Sequence, residues 1–513
     1  MRIGLDVGGT HTDAVLMDGQ QVVAHTKATT TADVGSGIEA ALAMILDGIN
    51  PDNVELLTIG TTQFTNAVVE RKHLSTVAAV RVCLPAGRGL LPRADWPEDL
   101  VRATDGGNYL LQGGHLYDGR ELAPVDESEL DALLQTLKET RPTAVVVSCA
   151  FSPSQPELEL TLAETFARAL PNSRIVASHS MGGLGLIERE NAAILNASLL
   201  EFADHVASAL LRSSARLGLS CPVYVSQNDG TLIGLERVRE FPALTFASGP
   251  TNSIRGAWAL TGLSDALVID VGGTTSDIGV LKNGFPRQSN LVIDVGGART
   301  NFRMPDVLAI GLGGGSEIGE GGSSCGPQSV ARELSEKALC FGGEVMTLTD
   351  IAVSQGRMII AEATNSRPAR ADICAVVDRL VLEKLTAAVD LMKPGGAVLP
   401  VVLVGGGASL IPGDTLADCP VIRPQYAGVA NAIGASIAQV SGEAEGFHVI
   451  GSKARSDVID ELTRMAKENA ISASADEATL SVVDVEEIEI PYMASETTRI
   501  RVRVVGDLTL GAR

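Results

Sequence analysis

The sequence predicts an α/β fold in which two related domains face each other across a cleft, with a small α/β unit appended at the C-terminus. The first observation behind this is an internal repeat: residues 3–19 read IGLDVGGTHTDAVLMDG and residues 268–284 read VIDVGGTTSDIGVLKNG. Each copy runs an apolar strand into an aspartate (Asp6, Asp270) and a glycine pair (Gly8 and Gly9, Gly272 and Gly273). Hydroxyl residues and a second aspartate (Asp13, Asp277) then open another apolar strand. The second observation is the punctuation. These strands close on Asp18-Gly19 and Asn283-Gly284, dipeptides that suit two-residue hairpins because both central positions need φ > 0. The third is the alternation of apolar strands with helical periods through both halves, the pattern of an α/β domain.

The elements follow in order. QVVAHTKA at 21–28 is a third strand after the first turn, and SNLVIDV at 289–295 is its counterpart after the second. Gly37 to Leu46 has helical spacing, and Val54 to Gly60 is a strand running into GTTQFTNAVVERK. Thr143 to Phe151 is a buried strand between Arg141-Pro142 and the SPSQP turn, and Glu188 to Arg212 reads as one long helix. Val401 to Val404 is a strand ending in Gly405, Gly406 and Gly407, and Ala427 to Val440 is a small-residue helix suited to close packing. Composition shifts near Ser441 to Glu445. An acidic helix at Asp457 to Asn469 and strands at 479–490 and 498–506 follow, giving expected units 1–185, 186–440 and 441–513.

Composition narrows the function classes. Forty Lys+Arg against 62 Asp+Glu in 513 residues leave a net charge of −22. Such a surface repels phosphate backbones and anionic lipid, so nucleic-acid and membrane-surface roles are set aside. Any bound anion must be held by local devices: backbone N–H groups, helix N-termini or a metal. Aromatic residues are only 3%, so Val, Leu, Ile and Ala must fill the core. No apolar run approaches the ~18 residues of a membrane span, and the N-terminus lacks the basic-then-apolar layout of a signal peptide. The seven cysteines are dispersed and never spaced Cys-x-x-Cys. Neither a disulfide framework nor a zinc or iron–sulfur site is expected, and the chain reads as cytoplasmic and reduced.

The Asp-x-Gly-Gly-Thr turn suits phosphate. A glycine pair lets backbone N–H groups approach an anion, and an aspartate at a strand end can hold hydrated Mg²⁺. Hydroxyls of Thr10, Thr12, Thr274 and Thr275 can donate to phosphate oxygens. A single copy is better explained as a tight turn; two copies across a cleft favour phosphate. Gly405 to Gly407 would let an adenosine lie against backbone, and GLGGGS at 311–316 competes for that role. Thr61, Thr62 and Asn66 lie where a strand becomes a helix, whose N-terminal amides can hold an anion, although Thr62 serves equally as an N-cap. Asn228 and Asp229 occupy a Gly-containing loop after the strand PVYVSQ and are candidate substrate contacts. Ser248-Gly249-Pro250 reads as a helix start. Glu317 is either catalytic or a solvated helix start, and His11 reads as a local hydrogen-bond partner.

These residues resemble the superfamily of actin, heat-shock chaperones and sugar kinases, whose two ribonuclease-H-like halves clamp MgATP. Within it the chain is similar to the hydantoinase A/5-oxoprolinase family. The carriers, in order, are DVGGTHTD (6–13), IGTTQFTNAVVERK (59–72), ERENAAILNASL (188–199), SQNDGTL (226–232), ASGPTNSIRGA (247–257), DVGGTTSDIG (270–279), AIGLGGGSEI (309–318) and VGGGA (404–408). The resemblance implies a ribonuclease-H-like N-terminal region in 1–185, a hydantoinase A region in 186–440 and the small unit in 441–513. It implies an ATP-hydrolysing cyclic amidase that opens 5-oxoproline, a hydantoin or a lactam after ATP phosphorylates the amide oxygen. A separate B-type subunit and an oligomer come with it.

By motif match, Asp6, Gly8, Gly9, Thr10 and Thr12 form the first phosphate loop and Gly272, Gly273, Thr274 and Thr275 the second. Asp6 and Asp270 take Mg²⁺ and, with Thr10 and Thr274, surround the reacting phosphate, while Asp13 and Asp277 orient the loops. Two other readings stand: a small-molecule kinase on the same cleft, and a non-catalytic ATP switch of the reactivase or chaperone kind.

Overall fold

The computed structural model describes residues 1–8, 11–29, 34–116, 119–289, 292–360, 368–395, 398–437, 439–449, 454–490 and 497–510. Both repeats open an α/β sheet, as the sequence expects. The first lies in a nine-stranded sheet whose centre is Val223–Ser226, Leu56–Thr61, Arg2–Val7 and His11–Asp18, edged by Gln21–Thr29. The second lies in a seven-stranded sheet centred on Ser276–Lys282, Ala266–Val271 and Val401–Val404. In each repeat the aspartate strand pairs antiparallel with its hairpin partner and parallel with a later strand. Its register is repeated too: Asp6 faces Asp13 and Asp270 faces Asp277.

Residues 77–177 contribute a sheet of their own: Asp105–Gln112, Val77–Leu84, Ala144–Cys149 and Arg174–Ala177, all parallel. Helices cover both faces, so Val77 to Val82 and Ala144 to Cys149 are apolar without alternation, apart from Arg81 and Ser148. Those two polar residues converge on fully buried Glu190, which is tied to Arg81 as an ion pair and accepts from Ser148 Oγ. The ERENAAILNASL stretch thus clamps this inserted sheet to the main body.

Four expectations are corrected. The helix expected over 188–212 is two, Leu186–Ser198 and Leu200–Arg216, bent by 50°. The Ser198 carbonyl accepts from the Ser75 N–H at 2.8 Å, so it serves the neighbouring chain at the break. After the second hairpin, residues 289–295 do not supply the third strand. Phe285–Pro286 and Val307–Ile310 share that edge, and the excursion between them returns to the first half as a hairpin, Ile293–Val295 with Ala298–Thr300. The first hairpin turns on Gly19-Gln20, because a bulge at Leu16/Met17 shifts the register so that Asp18 pairs with Gln21. The helix expected over 427–440 is a 3₁₀ turn, Ala427–Val429, then Ala430–Ser436, while Gln439–Val449 is a strand pairing parallel with Thr231–Gly234. Through that strand, Thr497–Gly506 and Ser481–Glu489 extend the first sheet, with the helix Arg455–Ser472 packed on them.

Helices Ser248–Thr261 and Ala430–Ser436 cross between the two repeats. At Gly256 a Cβ would overlap the Ala430 carbonyl, and at Gly434 it would overlap the Asn252 carbonyl, so each glycine admits the other backbone. Among the described residues no single helix is long and apolar enough to cross a membrane, and the bent pair 186–216 that passes by length and composition lies largely in the core.

Candidate functional site

The two hairpin tips share one geometry. The Gly8 N–H donates to the His11 carbonyl at 3.0 Å, and the Gly272 N–H to the Thr275 carbonyl at 2.9 Å. In each repeat the parallel strand brings a glycine against the aspartate. A side chain at Gly60 would overlap Asn252 and crowd Asp6 Oδ1; one at Gly405 (φ +84°) would overlap Asp270 Oδ1. Both positions exist to make room for a carboxylate at the carboxyl end of its strand.

The crossing helices supply the next contacts. Asn431 Nδ2 donates to Asp6 Oδ2 at 2.9 Å and to Asp13 Oδ2 at 3.2 Å, and Ser253 Oγ donates to Asp270 Oδ2 at 2.5 Å. Lys27 Nζ lies 2.8 Å from Asp13 Oδ1. Asp6 is 7% exposed, and among the described residues its Oδ1 has no hydrogen-bond partner. Burial, then the charges of Asp13 and Asp270, push Asp6 up to about 7. Burial likewise raises Asp270, with Asp13 adding to it, and burial with Asp270 pushes Asp277 up to about 7. Four carboxylates thus sit close enough to feel one another. Burial and mutual repulsion disfavour their charged forms, the condition a hard cation relieves.

The second loop is open at its tip: Gly273, Thr274 and Thr275 are exposed, and a Cβ at Gly273 would meet open space. It is propped from below by the other glycine run, because the N–H groups of Gly314 and Gly315 donate to the Gly272 and Gly273 carbonyls at 3.0 and 2.7 Å. The run at 311–316 therefore shapes the second loop, and Glu317 lies in the short strand Ser316–Ile318 rather than at a helix start. Gly9 and Thr10 lie outside the described residues, and Thr12 is fully buried in its strand. His11 is exposed and held below its ordinary pKa by burial and by Lys27. Gly405 and Gly407 are fixed by N–H bonds to Ala427 and Val271 carbonyls, while a Cβ at Gly406 would meet open space.

Thr61 is buried, its backbone N–H and carbonyl both bonded to Ser248 Oγ at the start of the crossing helix. Thr62 is the N-cap residue of Gln63–Glu70 but its side chain makes no cap bond, and Asn66 is exposed. Asn228 is buried and committed to the Ala243 carbonyl and Ala247 N–H; Asp229 binds Thr231 and Arg503. Both line a separate cavity. Among the described residues no three or more His, Cys, Asp or Glu side chains form a metal cage.

Sequence reasoning passed over Gly60, Asn252, Ser253, Asn431 and Lys27. Asn431 had a signal, being the one amide in a helix of small residues, and Lys27 had another, the strand register that sets it opposite Asp13.

Comparison with known proteins gives the following. A model of the hydantoinase/oxoprolinase N-terminal region matches residues 2–170, and a hydantoinase/oxoprolinase model matches residues 189–388. The chain is 24% identical over 545 residues to an uncharacterized protein of Methanocaldococcus jannaschii, covering 95% of this chain and 79% of that one. It is 27% identical over 383 residues to the caprolactamase subunit alpha of Pseudomonas jessenii, covering 69% of this chain and 54%, about half, of that subunit. Its fold superposes on the crystal structure of the ATP-dependent caprolactamase from Pseudomonas jessenii with a TM-score of 0.80 at 19% identity, covering 99% of this chain and 88% of that one.

Proposed function

Because the chain belongs to the hydantoinase/oxoprolinase family, we propose that it is the ATP-using subunit of a cyclic-amide hydrolase. The observation that carries this is the pair of hairpins in equal register, whose buried strand-end carboxylates come close enough for the charge of Asp270 to act on Asp6.

Under this proposal the N–H groups and hydroxyls of residues 8–10 and 272–275 cradle the phosphates of ATP, and Gly405 to Gly407 receive the nucleoside. Asp6 and Asp270 fit Mg²⁺, directly or through water, since that ion takes one or two carboxylates beside phosphate oxygens; when bound it neutralises charge on the transferring phosphoryl group. The amide oxygen attacks the γ-phosphorus. The bond to the bridging oxygen breaks, ADP leaves with that electron pair, and the carbonyl carbon becomes a good electrophile. Water then adds at that carbon, the ring C–N bond breaks with the nitrogen taking a proton, and a second water cleaves the resulting acyl phosphate to carboxylate and phosphate. A separate B-type subunit is the proposed seat of this second step. Asn431 and Ser253 orient the carboxylates, and Lys27 holds Asp13 in place.

The test is ADP release with Mg²⁺ and a panel of cyclic amides, for wild type and Asp6→Ala, with any partner subunit co-purified from the native host. Amide-stimulated ADP release with a ring-opened product, lost in Asp6→Ala, is expected. ADP release indifferent to every amide in the complete complex would overturn the reading.

A further inference from the structure

A cavity of about 910 Å³ lies where the inserted unit, the loop after Val223–Ser226 and the strand Gln439–Val449 meet. That size suits a small organic ligand. Val223–Ser226 runs parallel to Leu56–Thr61, which runs parallel to Arg2–Val7. Asn228 and Asp229 therefore follow the same carboxyl edge as Asp6, two strand spacings or roughly 10 Å away. That edge is where open α/β sheets receive ligands.

The charges in the wall are already engaged. Arg303 pairs with Glu443 and with Glu445, Asp229 pairs with Arg503, and Arg237 pairs with Glu240 while stacking on Phe241. With Glu236, the wall carries four carboxylates against the guanidinium groups of Arg237 and Arg303. Among the described residues, each guanidinium in it already faces a carboxylate, Arg303 two of them.

What remains is neutral hydrogen bonding, and His179 is its best-fixed member. Glu159 is fully buried and accepts from the Cys149 N–H, the His179 N–H and Ser178 Oγ at 2.7 to 2.8 Å. Its fourth partner is His179 Nδ1 at 3.0 Å. Burial would raise Glu159, but these hydrogen bonds outweigh it and hold it below its ordinary range. An ionised carboxylate only accepts, so Nδ1 carries the proton, and in the tautomer this selects Nε2 is the acceptor. The His179 side chain is 22% exposed and borders the cavity. Beside it, the buried Asn301 Oδ1 has no hydrogen-bond partner among the described residues and packs against Gly182 of the same wall.

Resting on the function proposed above, we infer that this cavity receives the ring, that it admits uncharged cyclic amides such as lactams and hydantoins while excluding rings that bear a carboxylate, and that His179 Nε2 accepts the ring N–H.

The experiment is calorimetric titration of the full chain, with an uncleavable ATP analogue present, using 2-piperidone, hydantoin and 5-oxoproline as probes. The neutral rings should bind and 5-oxoproline should bind at least about tenfold more weakly; His179→Ala should weaken the neutral rings by about tenfold without moving nucleotide affinity. His179→Gln should recover part of that loss. A Glu443→Gln, Glu445→Gln double variant frees Arg303 and should gain 5-oxoproline affinity. Equal affinity for charged and neutral rings, unchanged ring affinity in His179→Ala, or no ring binding would each overturn the assignment. Ring-stimulated ADP release that is undiminished in His179→Ala removes the pocket and leaves the proposed function standing; release that no ring stimulates in wild type removes the function itself.

Discussion

In the first hairpin, Lys27 sits 2.8 Å from Asp13 and the Asn431 amide bridges Asp13 to Asp6; in the second, Asp270 takes one hydroxyl, from Ser253, and Asp277 has no ion-pair partner among the described residues. At these tips the backbones match in register and in turn hydrogen bond, so the difference there lies in the side chains. A duplicated backbone fixes where the carboxylates stand. Their neighbours decide how much of the compensating charge must come from outside. The first copy carries its own cation. The second has no lysine paired to its hairpin aspartate, and burial raises both Asp270 and Asp277 beneath an open loop; on the proposed function a bound metal would draw off those protons.

The sharpest way to break this comparison is to remove each strand-end aspartate. Asp6→Ala and Asp270→Ala should each lower amide-stimulated ADP release on the order of 10²–10³-fold, and Asp13→Asn far less, read by coupled ADP assay. A near-normal Asp270→Ala would mean that the second loop holds phosphate through its backbone only.

Next in size are the paired glycines. Gly405→Ala forces a Cβ onto Asp270 and the Val271 backbone at φ +84° and should cost about 3 kcal/mol by denaturant unfolding. Gly60→Ala meets side-chain atoms of Asn252 and Asp6, which can shift, and should cost about 1–2 kcal/mol. Reversal of that order would show that the two sites are not built alike.

A pH series sharpens the charge difference. Asp277, pushed up to about 7 from 3.8, stays protonated in the metal-free fold while the unfolded chain ionises. Its penalty on stability therefore grows as pH rises from about 4 to about 7 and is constant above that. Asp277→Asn does not ionise, so its Tm relative to wild type should climb over the same window and then level. A flat difference in thermal melts would contradict a neutral Asp277. The smallest effect belongs to Lys27→Met, about 0.5–1 kcal/mol in the same melts, since Lys27 is largely exposed.

Much of the site was legible because the repeat is short-range: strand, turn and strand are read from alternation and glycine pairs, and the register followed. What escaped is what arrives from far along the chain. Asn431 reaches Asp6 across more than 400 residues, and no local pattern announces that. The split edge strand at Phe285–Pro286 and Val307–Ile310 was hidden for the same reason, since pairing with the nearer segment at 289–295 satisfies every local rule. The broken helix at Leu199 shows a tertiary partner, Ser75, overriding a helical period. The C-terminal strands were identified correctly as strands, but only Gln439–Val449, which pairs with Thr231–Gly234 on one side and Thr497–Gly506 on the other, reveals that they lengthen the first sheet.

At Gly256 and Gly434 two helices touch backbone to backbone, and Asn252, Ser253 and Asn431 lie within one turn of that contact. Ser253 and Asn431, which donate to Asp270, Asp6 and Asp13, are thus mounted beside the pivot. Any rotation of one half against the other displaces the carboxylates little and the rim a great deal, as a door moves least beside its hinge pin. On the proposed function, a rotation set off at the phosphate loops would travel furthest at the inserted sheet and the C-terminal strands.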